Sequence, residues 1–215
     1  MEASAAEFVR AHTTLGAPPF LPELRLHLAA DAFGLWEETE RRLGVPVAAP
    51  PFWAFPWAGG QALARHVLDH PEVVAGRRVL DLAAGSGLVA VAAARSGAAG
   101  VTANEIDGYA AAAIELNAQA NGVPVTVREG DLLDGEPDGA EVVLAGDVFY
   151  SRDFAARVLG FLDRARAGGA EVLVGDPGRA YLPRHRLTEV AEHEVPVVRA
   201  LEDADVKRVT VWRLS

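Results

Sequence analysis

The feature that most constrains this chain is a short apolar strand that enters a glycine-bearing turn and continues into a helix. It reads Val79-Leu80-Asp81-Leu82-Ala83-Ala84-Gly85-Ser86-Gly87, followed by the apolar stretch 88–95. From there the pattern repeats. Strands are expected at 79–82, 100–105, 123–128, 141–145 and 171–175. Helices are expected at 88–95, at 109–120 with Asn121-Gly122 ending it, and from a Ser151 cap through 166. Such alternation folds as a parallel sheet joined by right-handed crossovers. Two more strands, 187–198 and 206–214, flank the acidic turn Glu202-Asp203-Ala204-Asp205. In the second of them Val209 and Val211 alternate with Thr210 and Trp212, the period of a strand with two unlike faces. A hairpin after five parallel strands predicts an open α/β sheet with an antiparallel edge.

The segment before this unit has a different pattern. Ser4 and Glu7 form a capping box ahead of Phe8 and Val9. Leu24, Leu26 and Leu28 alternate as a half-buried strand does, and Asp31 precedes a helix through Leu43 with Gly44 just past its end. Residues 45–57 are rich in Pro, Trp and Phe, and Gly59-Gly60 leads into a helix at 61–69.

Composition excludes several classes. A chain of 215 residues can bury about 70 % of its unfolded surface, enough for one core. The net charge of −10 opposes binding of nucleic acid by bulk phosphate neutralisation and docking on anionic lipid. With no Cys, disulfides, thiolate nucleophiles and Cys-based zinc sites are excluded. Residues 1–13 carry Glu2 and Glu7 and no apolar core, unlike a signal peptide, and the apolar stretch 88–94 is too short to span a bilayer. A cytoplasmic protein is expected.

The chemistry starts at the glycine turn. Gly85-x-Gly87-x-x-Ala90 formally matches the dinucleotide fingerprint. In that fingerprint, however, the first Gly follows the strand directly and receives a pyrophosphate. Here Asp81 sits within the strand end, and Ala83 and Ala84 intervene before Gly85-Ser86-Gly87. A carboxylate beside the turn repels a diphosphate and suits a cationic ligand. S-adenosylmethionine carries an ammonium and a sulfonium and no phosphate. The second strand ends Asn104-Glu105-Ile106-Asp107. An acid at this place accepts ribose hydroxyls. Glu105 suits that role, and Asp107 suits the N-cap of the next helix. After the third strand, Asp131 is placed to accept from an adenine amino group with Leu132 against the ring, unless it is a simple turn residue.

Taken together, these residues resemble a class I, seven-β-strand methyltransferase. Three further stretches narrow the resemblance: Pro51-Phe52-Trp53-Ala54-Phe55-Pro56-Trp57-Ala58-Gly59-Gly60-Gln61-Ala62-Leu63, Gly146-Asp147-Val148-Phe149-Tyr150, and Gly175-Asp176-Pro177-Gly178-Arg179. Residues 20–215 are similar to the protein-lysine methyltransferase family that includes the methyltransferase of the electron transfer flavoprotein β subunit. The resemblance implies a Rossmann-like seven-stranded, mostly parallel sheet with an antiparallel C-terminal hairpin strand and helices on both faces. It implies Trp57 beside the cofactor and an Asp-x-x-Tyr element, Asp147 and Tyr150, orienting the target amine. It also divides the chain into an N-terminal extension, residues 1–60, covering the site, and a methyltransferase domain, residues 61–215. Glu105 stands where the family more often has Asp, and Ser86 where it often has another small residue.

The expected cofactor set is therefore Trp57, Asp81, Ala83, Gly85, Ser86, Gly87, Asn104, Glu105, Asp131, Leu132 and Gly146 for S-adenosylmethionine, with S-adenosylhomocysteine as product. Asp147 and Tyr150 are the candidate catalytic pair. Methyl transfer from a sulfonium is an in-line displacement that needs a neutral amine held in line, so positioning dominates. Asp147 would hold the amine and stabilise the nascent ammonium, and with an ordinary pKa it would be a poor base. The expected partner is a protein with an exposed lysine in a basic patch, with no nucleic acid and no membrane. Rival readings are a methyltransferase of small amines or pyridines and a nucleotide-binding oxidoreductase. His66 and His70 lie four apart without an evident third metal ligand. Asp176 and Arg179 are left between a turn ion pair and the substrate channel.

Overall fold

The computed structural model describes residues 4–43, 51–137, 139–202 and 204–215. In chain order its elements are α1 (Ala5–His12), β1 (Thr14–Gly16), β2 (Leu26–Leu28), α2 (Ala32–Leu43), α3 (Ala58–Asp69), β3 (Arg78–Leu82), α4 (Leu88–Arg95), β4 (Gly100–Glu105) and α5 (Gly108–Ala120). They continue with β5 (Thr126–Glu129), β6 (Val142–Gly146), α6 (Arg152–Ala167), β7 (Glu171–Asp176), β8 (Leu187–Pro196), α7 (Arg199–Glu202) and β9 (Val206–Leu214). Gly44, expected to end α2, lies outside the described residues, as does Asp203.

The main sheet runs β5-β4-β3-β6-β7-β9-β8. Its first five strands are parallel, and β9 is antiparallel to both β7 and β8. The expected sheet is borne out. Strand order reverses at β3, which pairs with β4 on one side and β6 on the other. In an open α/β sheet a crevice forms there, outside the carboxyl ends of the strands.

The central strands are mostly apolar because both faces are covered. Val79, Leu144, Leu173 and Val211 face Leu63, Val67, Val89 and Ile114 of α3, α4 and α5. Leu80, Val143, Val172 and Val174 face Phe161 and Leu162 of α6. Helix α5 is apolar nearly all round because it is sandwiched. Its Ala110, Ala112 and Ala113 pack beneath Phe8, Val9, Leu35, Trp53 and Phe55, so the N-terminal elements form a third layer. The Ser4–Glu7 capping box is present.

Several boundaries move. Helix α3 starts at Ala58, three residues earlier than expected, and presses Gly59 and Gly60 onto β6 and β7. A Cβ at Gly59 would collide with the Gly175 carbonyl, and one at Gly146 would lie 2.8 Å from Gly60 Cα. Only glycines allow this approach. Strand β1 was not expected, and it is held by pairing with β2. β5 begins at Thr126 rather than 123, and β8 stops at Pro196. The supposed acidic turn contains a turn of helix, α7, with Glu202 buried in it. Ser151 is the N-cap of α6 but makes no side-chain cap hydrogen bond. Among the described residues, no helix is long and apolar enough to cross a membrane.

Candidate active site

The crevice is built from the ends of β3, β4 and β6. After β3 the backbone turns through three left-handed residues, Ala83 (φ 53°), Gly85 (φ 55°) and Gly87 (φ 72°). Gly87 caps α4 from that conformation, and a Cβ on it would meet Ile114 of α5 at 3.0 Å. Its place is thus helix packing, and it does not line the crevice. Asp81, 1 % exposed, accepts the Ala90 N–H at 2.9 Å. Burial pushes its carboxyl up to about 8, against the Ala90 hydrogen bond and with a small push from Glu105. Among the described residues, no cation acts on it. A buried acid of this kind is matched to an incoming ammonium.

At the end of β4, Glu105 accepts from Gly85 N–H at 2.9 Å with one oxygen and from Ile106 N–H at 2.8 Å with the other. Burial raises its pKa against those bonds. Asp107 accepts the Tyr109 N–H at 2.8 Å and is the N-cap of α5, as expected. Asn104 is buried and donates to the carbonyls of Arg128 and Gly130, at 2.9 and 2.7 Å, holding the loop after β5 in place. Asp131 accepts the Leu133 N–H at 2.9 Å and pairs with Arg157 at 2.9 Å. The Leu133 hydrogen bond and then Arg157 hold its carboxyl below the usual range. Leu132 and Leu133 are both buried in the core with Val143 and Ala145, and Leu133 also lines the cavity at this end. Ile106, 71 % exposed just past the strand end, lines the cavity here and is absent from the set expected from the sequence. Its signal was an apolar residue directly after the acid.

At the end of β6, Asp147 takes φ 58°, an uncommon conformation for a residue with a side chain. That turn sends its carboxylate back over the start of α3. Oδ2 accepts the Gly60 N–H at 3.0 Å, and Oδ1 accepts from Arg179 Nε at 3.0 Å and Nη2 at 2.6 Å. Burial raises its pKa to about 6, opposed by Arg179 and reinforced by Glu202 and Asp176. Of the two alternatives for Arg179, its guanidinium turns to Asp147 rather than to a turn pair with Asp176, and it lines the cavity. It bridges Asp147 to Glu202 Oε1, 3.2 Å away, and lies 5.8 Å over the Trp57 ring. Asp176 instead accepts the Gly178 and Arg179 N–H groups, both at 2.6 Å. Trp57 donates its indole N–H to the Phe52 carbonyl at 2.9 Å. The Tyr150 ring sits against Phe52 and Phe154, with centroids 5.7 and 5.2 Å apart.

Two adjoining cavities result. One, of about 320 Å³, brings together Trp57, Asp81, Ala83, Gly85, Ser86, Glu105, Gly146, Asp147 and Tyr150. The other, of about 850 Å³, is walled by Asn104, Glu105, Ile106, Asp131 and Leu133 and bordered by Thr39 and Arg42 of α2. Ala83, Glu105, Tyr150, Phe52 and Phe154 border both. The residues fit S-adenosylmethionine: a buried acid for its ammonium, a strand-end acid for ribose hydroxyls, and an apolar slot for the adenine. His66 and His70 stack with ring centroids 4.7 Å apart. No metal-binding cluster occurs among the described residues.

Comparison with known proteins agrees with this geometry. Residues 57–146 match the methyltransferase small domain family. The chain is 38 % identical over 200 residues to the electron transfer flavoprotein β subunit lysine methyltransferase of Danio rerio, covering 90 % of this chain and 76 % of that protein. It is 36 % identical over 197 residues to the enzyme of the same name from Homo sapiens, covering 89 % of this chain and 74 % of that one. A Synechocystis magnesium protoporphyrin IX methyltransferase with bound S-adenosylmethionine shares the fold, with a TM-score of 0.53 at 14 % identity over 73 % of this chain and 78 % of that one. These relatives leave no place for the oxidoreductase reading. The chain belongs to the electron transfer flavoprotein β-subunit lysine methyltransferase family and is an S-adenosylmethionine-dependent methyltransferase.

Proposed function

We propose that this enzyme methylates a lysine of the electron transfer flavoprotein β subunit, and that Asp147 and Tyr150 hold the lysine amine. The observation that carries the reading is Asp147: a buried carboxylate on a strained backbone, at the carboxyl end of β6, in the same cavity wall as Asp81 and Glu105. S-adenosylmethionine, when bound, supplies an electrophilic methyl carbon on sulfur. The lysine must present a neutral nitrogen to it. The new N–C bond forms as the C–S bond breaks, and positive charge moves onto nitrogen. Asp147 accepts an N–H of the amine and stabilises that charge, which needs the carboxylate form. With its pKa near 6 it is ionised at neutral pH. The proton of the methylated ammonium leaves to water. The exposed edge of Tyr150, braced by Phe52 and Phe154, packs along the lysine methylenes.

Asp81 and Glu105 hold the cofactor, with Trp57, Ala83, Gly85, Ser86 and Gly146 forming the wall around it. Asn104 and Asp131 act at the adenosine end. The net charge of −10 suits a partner whose lysine lies in a basic patch, and neither nucleic acid nor membrane. We place the reaction in the cytoplasm, and residues 1–60 as the cover of the site. The test incubates the protein with labelled S-adenosylmethionine and purified electron transfer flavoprotein β subunit, then maps the label. Label on a β-subunit lysine is expected. Label on free amines or pyridines with none on the protein would establish the small-molecule reading instead.

A further inference from the structure

Asp147 lies at one end of a chain of charges that no part of the methyl-transfer scheme uses. Both Arg179 nitrogens facing it converge on Oδ1, while the Gly60 N–H holds Oδ2. The same Arg179 Nη2 continues to Glu202 Oε1 at 3.2 Å, and Glu202 Oε2 meets Lys207 Nζ at 2.8 Å. Glu202 is almost wholly enclosed, with a side chain 3 % exposed, and it also accepts the Ala58 N–H at 3.5 Å. Asp176 stands nearby and fixes the Arg179 backbone. Lys207 is the only lysine in the sequence. Thus the ends of β6 and β7, the start of α3 and the β8–β9 connection meet at one carboxylate.

The groups that face Asp147 are the cation Arg179 and the anions Glu202 and Asp176, with Lys207 acting through Glu202. Asp176 is in turn faced by Arg179 and Arg184. We propose that Arg179 and Glu202 are positioning residues that set the aim and the ionisation of Asp147, with opposite electrostatic signs. The guanidinium favours the carboxylate form and fixes Oδ1. Glu202 fixes the guanidinium and, as a buried anion, disfavours that form. The proposal rests on the reading of Asp147 as the amine-holding group.

The test is the pH dependence of kcat/KM for methylation, with cofactor binding and melting temperature checked for each variant. If Asp147 must be ionised and the lysine neutral, log(kcat/KM) rises with a slope of two below the Asp147 pKa and one above it. In the wild-type enzyme the break should fall near pH 6. In Arg179→Gln it should move up by about one pH unit, and in Glu202→Gln it should move down. Arg179→Lys, which keeps the charge and loses the fork, should restore the break while kcat stays below wild type. Breaks that stay at the wild-type position in Arg179→Gln and Glu202→Gln, with Asp147→Asn abolishing the break, would overturn the proposal and leave the role of Asp147 intact. A wild-type break in Asp147→Asn would instead overturn the reading of Asp147 itself. Should Arg179→Gln not fold, the downward shift in Glu202→Gln decides, because a purely structural loss would not lower the break.

Discussion

Cofactor binding should change the protonation of Asp81, and the direction of the proton flow should reverse with pH. The carboxyl is 1 % exposed, with a pKa near 8. At pH 7 about nine-tenths of the free protein holds a proton there. An ammonium placed against the group favours the carboxylate, so that proton is expelled. The α-amino group of the free ligand sits beside its own carboxylate and is charged at pH 7, so it takes up almost no proton there. The net release is about 0.9 proton per ligand. At pH 9 Asp81 is already ionised in most molecules while part of the ligand amine is neutral, so binding takes up a fraction of a proton. Calorimetric titration with S-adenosylhomocysteine in buffers of different ionisation enthalpy measures both. Release at pH 7, a smaller uptake at pH 9 and a crossing above pH 8 are expected. Asp81→Asn should lose the release at pH 7 and bind more weakly. Full release persisting in that variant would refute the assignment and move the proton to another group.

Three further outcomes follow from the same geometry. Gly175→Ala would drive a Cβ into the Gly59 carbonyl and within 2.9 Å of Leu63 Cβ, so it should cost about 1–3 kcal/mol or more, read as a lower denaturant midpoint, whereas Gly169→Ala, with nothing near it, should cost only the strain of its φ of 92°. Glu105→Ala removes the acceptor for ribose hydroxyls and the clamp on Gly85, so S-adenosylhomocysteine should bind at least tenfold more weakly by titration; unchanged affinity would leave Glu105 as a loop clamp alone. Methylation of a basic protein partner should slow as salt rises, through the association rate, while S-adenosylhomocysteine affinity holds.

Much of this fold is legible in the sequence because its signals are local. Residues 88–95 are an apolar run closed by a charge, and 100–105 run from a glycine to an acid; they are helix and strand at those bounds. Asp107 as an N-cap is equally local, since the contact spans two residues. What escaped depends on contacts distant along the chain. Arg179 reaches Asp147 from 32 residues away, so its spacing suggests nothing beyond a turn. Glu202 sits in a run of acids that reads as solvated, yet folding buries it against α3 and Arg179. Gly59 reads as a loop glycine and Gly175 as the last residue of a strand, and nothing in either suggests that the helix start and the β7 end press together there. Leu132 and Leu133 are alike in type and both buried, and only the path of the chain after Asp131 decides that Leu133 lines the cavity.

The central claim is that Asp147 holds the amine during transfer, and single-turnover methylation by Asp147→Asn tests it most directly. The amide keeps the size and much of the hydrogen bonding but lacks the charge that stabilises the nascent ammonium. The rate of transfer should fall tenfold to a thousandfold, about 1.4–4 kcal/mol of transition-state stabilisation, while S-adenosylhomocysteine binds nearly as before because Asp81 and Glu105 remain. A variant that transfers methyl at close to the wild-type rate would contradict the account, leaving Asp147 as an anchor between Gly60 and Arg179.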